Sequence, residues 1–583
     1  MPTIFRIMFC LLITASTAFA NSPEPVADDW HGALTIPTGK LMLIVTITTD
    51  DDGNLSAVLE SPDQAPGQKI PVSEITIEDD HMHLAIAMIN ATYEADWDDE
   101  AQHWSGTFSQ GANLPLTLER GLPPNKPVVE GLDGTWRSTI TRNGVDLRVI
   151  LHIETTDTGT HAKLDLPDMM ANNIPVTNLT NTDGQVSYAV PAAQGTFTGS
   201  FNDDGTITGI WTFPGREDAT ITLTRDPDDQ PATTRNRPQV PTEPYPYKSE
   251  DVTYDNPDAE GVTLAGTLTI PEGEGPFPAA ILISGSGPQD RNETVFGHQP
   301  FLVLSDYLTT HGIAVLRYDD RGINQSTGDY AQATSADFAT DANAAFAYLT
   351  TRPEIDHDAI GFVGHSEGGL IGPIAINENQ KVAFMVMLAG PGTPALKIIE
   401  SQNRLIAQSQ GADEEEISKS VELSMMISRA AAASTSAEDA EARIRAIMTP
   451  EVLAEFGVDE SRIESAVAQS STPWTRYFLK YDPADFMGAV RCPVLAINGE
   501  LDMQVPAEEN IAGLHKLLTN HNDATIMALP GLNHMFQTAK TGALGEYNDI
   551  EETFAPHAMQ LIADWINTRF GTDQQESEPN HDD

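Results

Sequence analysis

The sequence predicts two small antiparallel β domains in tandem, followed by a larger α/β domain in which a mostly parallel sheet is covered by helices. Three observations carry this. Residues 21–127 and 128–226 repeat each other: Ser61-Pro62-Asp63 recurs as Leu166-Pro167-Asp168, and Ile70-Pro71-Val72 as Ile174-Pro175-Val176. Leu116-Thr117-Leu118-Glu119-Arg120 recurs as Ile221-Thr222-Leu223-Thr224-Arg225, Trp30 matches Trp136, and Phe108 matches Phe213, all at offsets of 104 to 106 residues. Such constancy argues for duplication. From residue 248 onward, apolar runs alternate with helical stretches, the pattern of a parallel sheet covered by helices. At the centre of that region stands a glycine-fenced serine, GFVGHSEGGLIG, at residues 361–372.

Each repeat is built from short alternating runs. LMLIVTITT and DLRVILHIETT are followed by the turn clusters DDDGN and DTGT, so each copy reads as an antiparallel barrel or sandwich of about 100 residues. His81-Met82-His83 sets two imidazoles on one strand face, but without a third ligand they read as exposed strand histidines rather than a metal site. Residues 227–247 carry six prolines within DPDDQPATTRNRPQVPTEPYPY and are expected to form a semi-extended linker.

In the α/β region, 248–572, the strand candidates are VTLAGTLTI, AAILIS, AVLRYD, AIGFVG, VAFMVMLAG, PVLAIN and TIMALP. Most are nearly all apolar, as strands buried on both faces should be. FATDANAAFAYLTTR between them is helical in pattern. Residues 395–480 contain helical runs and no good strand, so they form a helical insertion between the core strands VAFMVMLAG and PVLAIN. The tail, 573–583, is acidic and expected to be disordered.

The chemistry gathers where strands end. Gly364-His365-Ser366-Glu367-Gly368 is a G-x-S-x-G between a buried strand and an apolar helix, the context of a nucleophile elbow. A serine hydroxyl needs a base, and the base an orienting acid. On such a sheet they follow the serine in that reverse order, each after a strand. Asp502, after the strand ending near Asn498, is the candidate acid, with Glu500 as its rival. His534, after the last strand, is the candidate base, while His521 and His557 fall before a strand and in the terminal helix. The backbone N–H of Glu367 is one oxyanion donor. The other comes from the loop Ser284-Gly285-Ser286-Gly287-Pro288; Pro288 has no N–H, leaving Ser286, the preferred donor, or Gly287. No phosphate-loop pattern and no metal set accompany these residues, so neither cofactor nor metal is expected.

The segments SGSGPQDRNE, LRYDDRGINQST, GFVGHSEGGLIG, STPWTRYFLKYDP and CPVLAINGELDMQVP resemble the α/β-hydrolase superfamily, in particular bacterial carboxylesterases of the EstD type and serine aminopeptidase-like hydrolases. The resemblance spans about residues 248–570. It implies an α/β-hydrolase fold with a helical cap, Ser366 as nucleophile, Asp502 as acid and His534 as base. Ser284-Gly285 stands where many relatives carry His-Gly, and Asn324 where D-R-G-x-G-x-S has its second glycine. Asn tolerates left-handed angles, so the loop is expected to survive. The elbow lacks the G-G-S-W-G-S of many aminopeptidases, which favours esters. A peptidase is the alternative, for which the acidic run Asp413–Glu416 offers amine-binding candidates. A non-catalytic binding protein on a hydrolase scaffold is the third reading. Met425, Met426 and Ile427 are candidate apolar contacts of the cap.

Composition bounds the partners. Of 583 residues, 85 are Asp or Glu and 32 are Lys or Arg, a net charge of −53. Such a surface repels phosphate backbones and anionic headgroups, so nucleic acid is not an expected partner; a small ester or short peptide substrate is what the resemblance implies. The first 20 residues, with Arg6, an apolar run and Ala18-Phe19-Ala20, have the layout of a secretory signal, and the expected location is periplasmic or secreted, without membrane insertion after cleavage. Cleavage would leave Cys492 alone and the fold without a disulfide.

Overall fold

The fold comes from a computed structural model that describes residues 27–226, 237–458 and 462–571, with gaps of one to six residues inside the first stretch. The segment expected to be a secretory signal, most of the Pro-rich linker, Phe213 and the acidic tail lie outside the described residues. Two compact units emerge, one ending at Pro127 and the other running from Val128, except that residues 157–159 group with the first.

Each repeat folds as an antiparallel sheet of nine strands with the same order. In the first, Asp29–Ile36 pairs with both Gly39–Thr49 and Ala112–Arg120, so the two ends of the repeat are neighbours. At the opposite seam, Val72 donates to Ala57 and the next residue, Ser73, donates to Ala85, 3.0 and 2.8 Å. Consecutive residues thus bond to the two sheet edges, and one bent strand closes the sheet into a barrel without free edges. The second copy repeats the device: Val176 donates to Ala162 at 3.1 Å, while Thr177 pairs with Ala189. At the first seam Arg120 lies over Trp30 and Arg225 over Trp136, 4.9 and 4.7 Å from the ring centroids. Strand register corrects one sequence match. Phe108 faces Tyr93 and Leu114, and the residue so placed in the second copy is Trp211, facing Phe197 and Ala219, because the following hairpin is longer there. Trp30, Trp104, Tyr93 and Met82 fill the first barrel. One space inside it, about 10 Å³ and lined by Leu43, Tyr93, Phe108 and other apolar residues, has room for about one water.

His81 and His83 on the first barrel pair with carboxylates. His81 contacts Asp96 at 2.8 Å and Glu94 at 3.0 Å, and His83 contacts Glu94 at 2.6 Å. The Asp96 hydrogen bond, ahead of the other contacts, raises the His81 pKa.

The α/β region is an eight-stranded sheet in the spatial order Lys248–Asp255, Thr263–Ile270, Ala314–Tyr318, Phe277–Ile283, Ile355–His365, Met385–Leu388, Val494–Gly499, Ala524–Leu529. The first two ladders are antiparallel and the rest parallel. Helices cover both faces, Pro300–Thr310 and Pro556–Phe570 on one, Ser335–Leu349, Gly368–Glu378 and Ala507–Leu517 on the other. This is the α/β-hydrolase architecture. The first strand, Lys248–Asp255, was not among the sequence candidates: KSEDVTYD alternates exposed and half-buried residues at the sheet edge and has no apolar run.

Between Met385–Leu388 and Val494–Gly499 lies the cap, helices Ala395–Ser409, Glu414–Ala432, Ala437–Ile447, Pro450–Phe456, Arg462–Ser470 and Pro473–Phe478. Asp413, Ser436, Thr449 and Thr472 each cap a helix by accepting a backbone N–H, which is why the chain re-enters a helix at each point. The acidic run is such a start: Asp413 accepts from Glu416 N–H and Glu416 accepts from Asp413 N–H, a capping box, and the run sits exposed. Met425 packs on Ile417 and Val421, and Ile427 joins Ala431 and Ile444, so both serve the interior of the cap itself.

Candidate active site

The elbow is built by close approach. Ser366 has φ +52°, the left-handed region, and its N–H donates to Leu388 O of the neighbouring strand at 2.8 Å. A Cβ on Gly364 would lie 2.1 Å from Gly368 O, and one on Gly368 would lie 2.1 Å from Ile283 O. Only glycine at both points lets strand, turn and helix meet, which holds Ser366 in a conformation that costs it ~1–3 kcal/mol. Ser366 is half-buried and opens the helix Gly368–Glu378.

Asp502 and His534 meet at 2.8 Å between Oδ2 and Nδ1, both buried. Asp502 Oδ1 accepts the Gln504 and Val505 N–H groups at 2.8 and 2.9 Å, an Asx turn that fixes the carboxylate. Asn533 shapes the other loop: its Oδ1 accepts the N–H groups of Met535 and Gln537 at 3.0 and 2.9 Å, and Phe536 takes φ +58°. Glu500, the rival acid, is exposed and accepts from Gly531 N–H at 3.2 Å, away from His534. With Nδ1–H donated to Asp502, the Nε2 lone pair of His534 is left to accept. The His534 ring lies 4.9 Å from the ring of His365, the residue before Ser366. Among the described residues no hydrogen bond joins Ser366 to His534.

The loop 284–287 lies against the serine, since a Cβ on Gly285 would be 3.3 Å from Ser366 Cβ. Gly285 N–H is spent on Glu293 Oε1 at 2.7 Å. Gly287 N–H faces the Tyr330 hydroxyl. Among the described residues the N–H groups of Ser286 and Glu367 meet no protein acceptor. Asp320 braces the same loop, accepting from Ser284 Oγ at 2.8 Å and Gln289 N–H at 2.9 Å. Burial pushes the Asp320 carboxyl well above its usual range. Downstream, Asn324 takes φ +47°, the left-handed position where the resembling motif has glycine.

Two carboxylates in this site were not singled out by sequence reasoning for their side chains. Glu293, at φ +53° and 3% exposed, accepts from Gly285 N–H and pairs with His365 Nδ1 at 2.8 Å. His365 Nε2 in turn meets His534 O at 3.0 Å. One carboxylate and one imidazole thereby tie the 284–287 loop, the elbow and the His534 loop together. Burial opposes a charge on His365, but the Glu293 carboxylate outweighs it and leaves the imidazole pKa raised. The Glu367 side chain, 3% exposed, accepts from Ser335 Oγ at 2.6 Å and from Trp474 Nε1 of the cap at 2.7 Å. Burial raises its pKa. Neither contact has a local pattern in the chain, since the partners are 32 to 107 residues apart. Among the described residues no group of three or more His, Cys, Asp or Glu is arranged to hold a metal ion.

Comparison with known proteins bears on the same region. The model of the X-Pro dipeptidyl-peptidase (S15) family matches residues 260–532, a little under half the chain, which includes Ser366 and Asp502 and ends just before His534. Esterase EstD of Thermotoga maritima is 27% identical over 324 residues, covering 56% of this chain and 68% of that one. Among solved structures, the esterase Pf2001 of Pyrococcus furiosus is 16% identical with a TM-score of 0.35, covering 58% of this chain and 98% of its own. Est1E of Butyrivibrio proteoclasticus, solved with ferulic acid, is 17% identical with a TM-score of 0.32, covering 56% of this chain and 98% of its own.

Proposed function

We propose that this chain, whose larger domain has the α/β-hydrolase fold, is a serine hydrolase acting on carboxylic esters. The observation that carries the reading is the buried Asp502–His534 pair, at 2.8 Å, beside an elbow that holds Ser366 at φ +52°. In this reading Ser366 Oγ attacks the ester carbonyl while His534 Nε2 takes its proton. Asp502 holds the imidazole in the required tautomer and stabilises the imidazolium. The tetrahedral oxyanion is met by the N–H groups of Glu367 and Ser286; that Gly285 and Gly287 have their N–H groups engaged elsewhere favours Ser286 as the second donor. His534 then protonates the leaving alcohol, an acyl-enzyme forms on Ser366, and water activated by the same histidine releases the acid. In this reading the Ser366–His534 hydrogen bond forms when substrate enters. The signal-like first 20 residues support export to the periplasm or beyond.

The match to X-Pro dipeptidyl-peptidases favours a second reading, cleavage of short N-terminal peptides. The experiment that separates the two offers p-nitrophenyl acetate and butyrate beside an Xaa-Pro p-nitroanilide to wild type and Ser366→Ala. Ester turnover that falls by about 10⁴-fold or more in the variant supports the esterase. Turnover of the anilide alone supports the peptidase, and unchanged ester turnover in Ser366→Ala overturns both.

A further inference from the structure

Arg148 lies on the strand Val145–Thr156 of the second barrel, next to Val149, whose side chain belongs to the barrel interior. Its guanidinium is first locked within its own barrel. Nε and Nη2 donate to the two oxygens of Asp168 at 3.0 and 2.8 Å, and the Arg148 backbone N–H donates to the same carboxylate at 2.7 Å. Burial works against the Asp168 charge, yet this fork holds its pKa below the ordinary value. The remaining donors leave the barrel. Nη2 also donates to Gly545 O at 2.6 Å, and Nη1 to the Asp549 carboxylate.

Gly545 belongs to the short helix Leu544–Tyr547, which follows the His534 loop. A Cβ at Gly545 would stand 2.2 Å from Asp168 Oδ1 and 2.6 Å from Asp168 Cα, so the seat admits glycine and nothing larger. The same helix presents Tyr547 inward. Tyr547 is 1% exposed and shares a buried cluster with Leu544 and Met535, the residue after His534. Its hydroxyl lies 3.5 Å from Gln504 Nε2, and the N–H of Gln504 is one of the two that anchor Asp502. His534 N–H also faces this phenol. One turn of helix therefore touches the barrel on one side and the Asp502–His534 pair on the other.

We infer that the second barrel braces the base of the active site, with Arg148 as a positioning residue that acts through Gly545 and Tyr547 on the loops carrying His534 and Asp502. This rests on the serine-hydrolase reading. A planar guanidinium satisfies Asp168, Gly545 and Asp549 at once, which an ammonium cannot. Misplacing a reacting group by about 1 Å costs on the order of 10²-fold in rate, so a loosened brace reads out as lost turnover.

The test uses the full-length chain, p-nitrophenyl acetate, and a fluorophosphonate that reports attack by Ser366. In Arg148→Ala, kcat and the labelling rate are expected to fall together by about 10- to 100-fold, with KM nearly unchanged. Arg148→Lys recovers part of the loss. Tyr547→Phe also slows both rates, and the double variant is no slower than the slower single one, because the two residues lie on one path. Arg137→Ala, which breaks an exposed pair with Asp226 on the same barrel, leaves both rates at wild-type values. Wild-type labelling by a folded Arg148→Ala, or losses that multiply with Tyr547→Phe, would overturn the brace. Should Arg148→Ala fail to fold, Asp549→Asn carries the same test, with a smaller loss expected and wild-type rates contradicting the inference. A wild type that does not label at Ser366 defeats the serine-hydrolase reading itself, and the brace with it.

Discussion

Glu367 does two separate things from one position. Its backbone N–H is the proposed oxyanion donor, while its carboxylate, turned inward, accepts from Ser335 and from Trp474 of the cap. Burial raises the pKa of that carboxylate, so the folded protein holds the proton more tightly than the unfolded chain does. The contribution to stability therefore falls as pH rises from the unfolded carboxyl value of about 4.3 toward the raised folded value. Glu367→Gln keeps an oxygen for both donors and removes the charge. The variant is expected to melt above wild type at pH 7 to 8, with the difference closing near pH 4; a variant melting below wild type at pH 8 would contradict this. At this scale the sequence shows some residues and hides others. Ser366, Asp502 and His534 each follow a strand that is an apolar run, and order along the chain is enough to nominate them. Asp502 could be separated from Glu500 only in three dimensions, where one carboxylate is buried on His534 and the other is exposed. Glu293 sits in an irregular loop 72 residues from His365 and leaves no pattern to read.

The strand–turn–helix element is where local sequence and tertiary structure agree most closely. Five glycines in twelve residues look like flexibility in the sequence, yet two of them are required by backbone atoms 2.1 Å from where a side chain would begin. Gly368→Ala must push the helix away from Ile283 and displace Ser366. The expected result is a lowered melting temperature, by the several degrees that ~1–3 kcal/mol of overpacking implies in a domain of this size, with esterase activity falling by a larger factor than stability explains. A Gly368→Ala enzyme of wild-type rate would show that the elbow tolerates movement. Elements whose burial is two-sided were legible, because Phe277–Ile283 and Val494–Gly499 are wholly buried. The edge strand Lys248–Asp255 was not, because half of it faces solvent. In the repeats, composition announced short strands and turns, but closure by a single bent strand depends on Val72 and Ser73 bonding to opposite edges, which only register reveals.

For the molecule as a whole, the duplication and the charge are its two global features. The barrels share strand order and the Trp–Arg seam, and the interior of the first is filled with aromatic and aliphatic side chains, which directs any binding role of that barrel to its outer face. The charge of −53 has no fold of its own to explain, but it sets how the chain responds to salt. Like charges this dense repel across the surface, and raising salt from 0.1 to 1 M shortens the screening length from about 10 to 3 Å. The melting temperature is expected to rise steadily over that range, and a fall would mean that ion pairs such as Arg291–Asp319 and Arg321–Asp341 outweigh the repulsion.

The most direct measurement is the intact mass of the protein after brief exposure to a fluorophosphonate, followed by mapping of the modified peptide. One adduct per chain, located on Ser366, absent in Ser366→Ala and strongly slowed in His534→Ala, is what the account predicts. No adduct on the wild-type chain, or one carried by a residue other than Ser366, would contradict it.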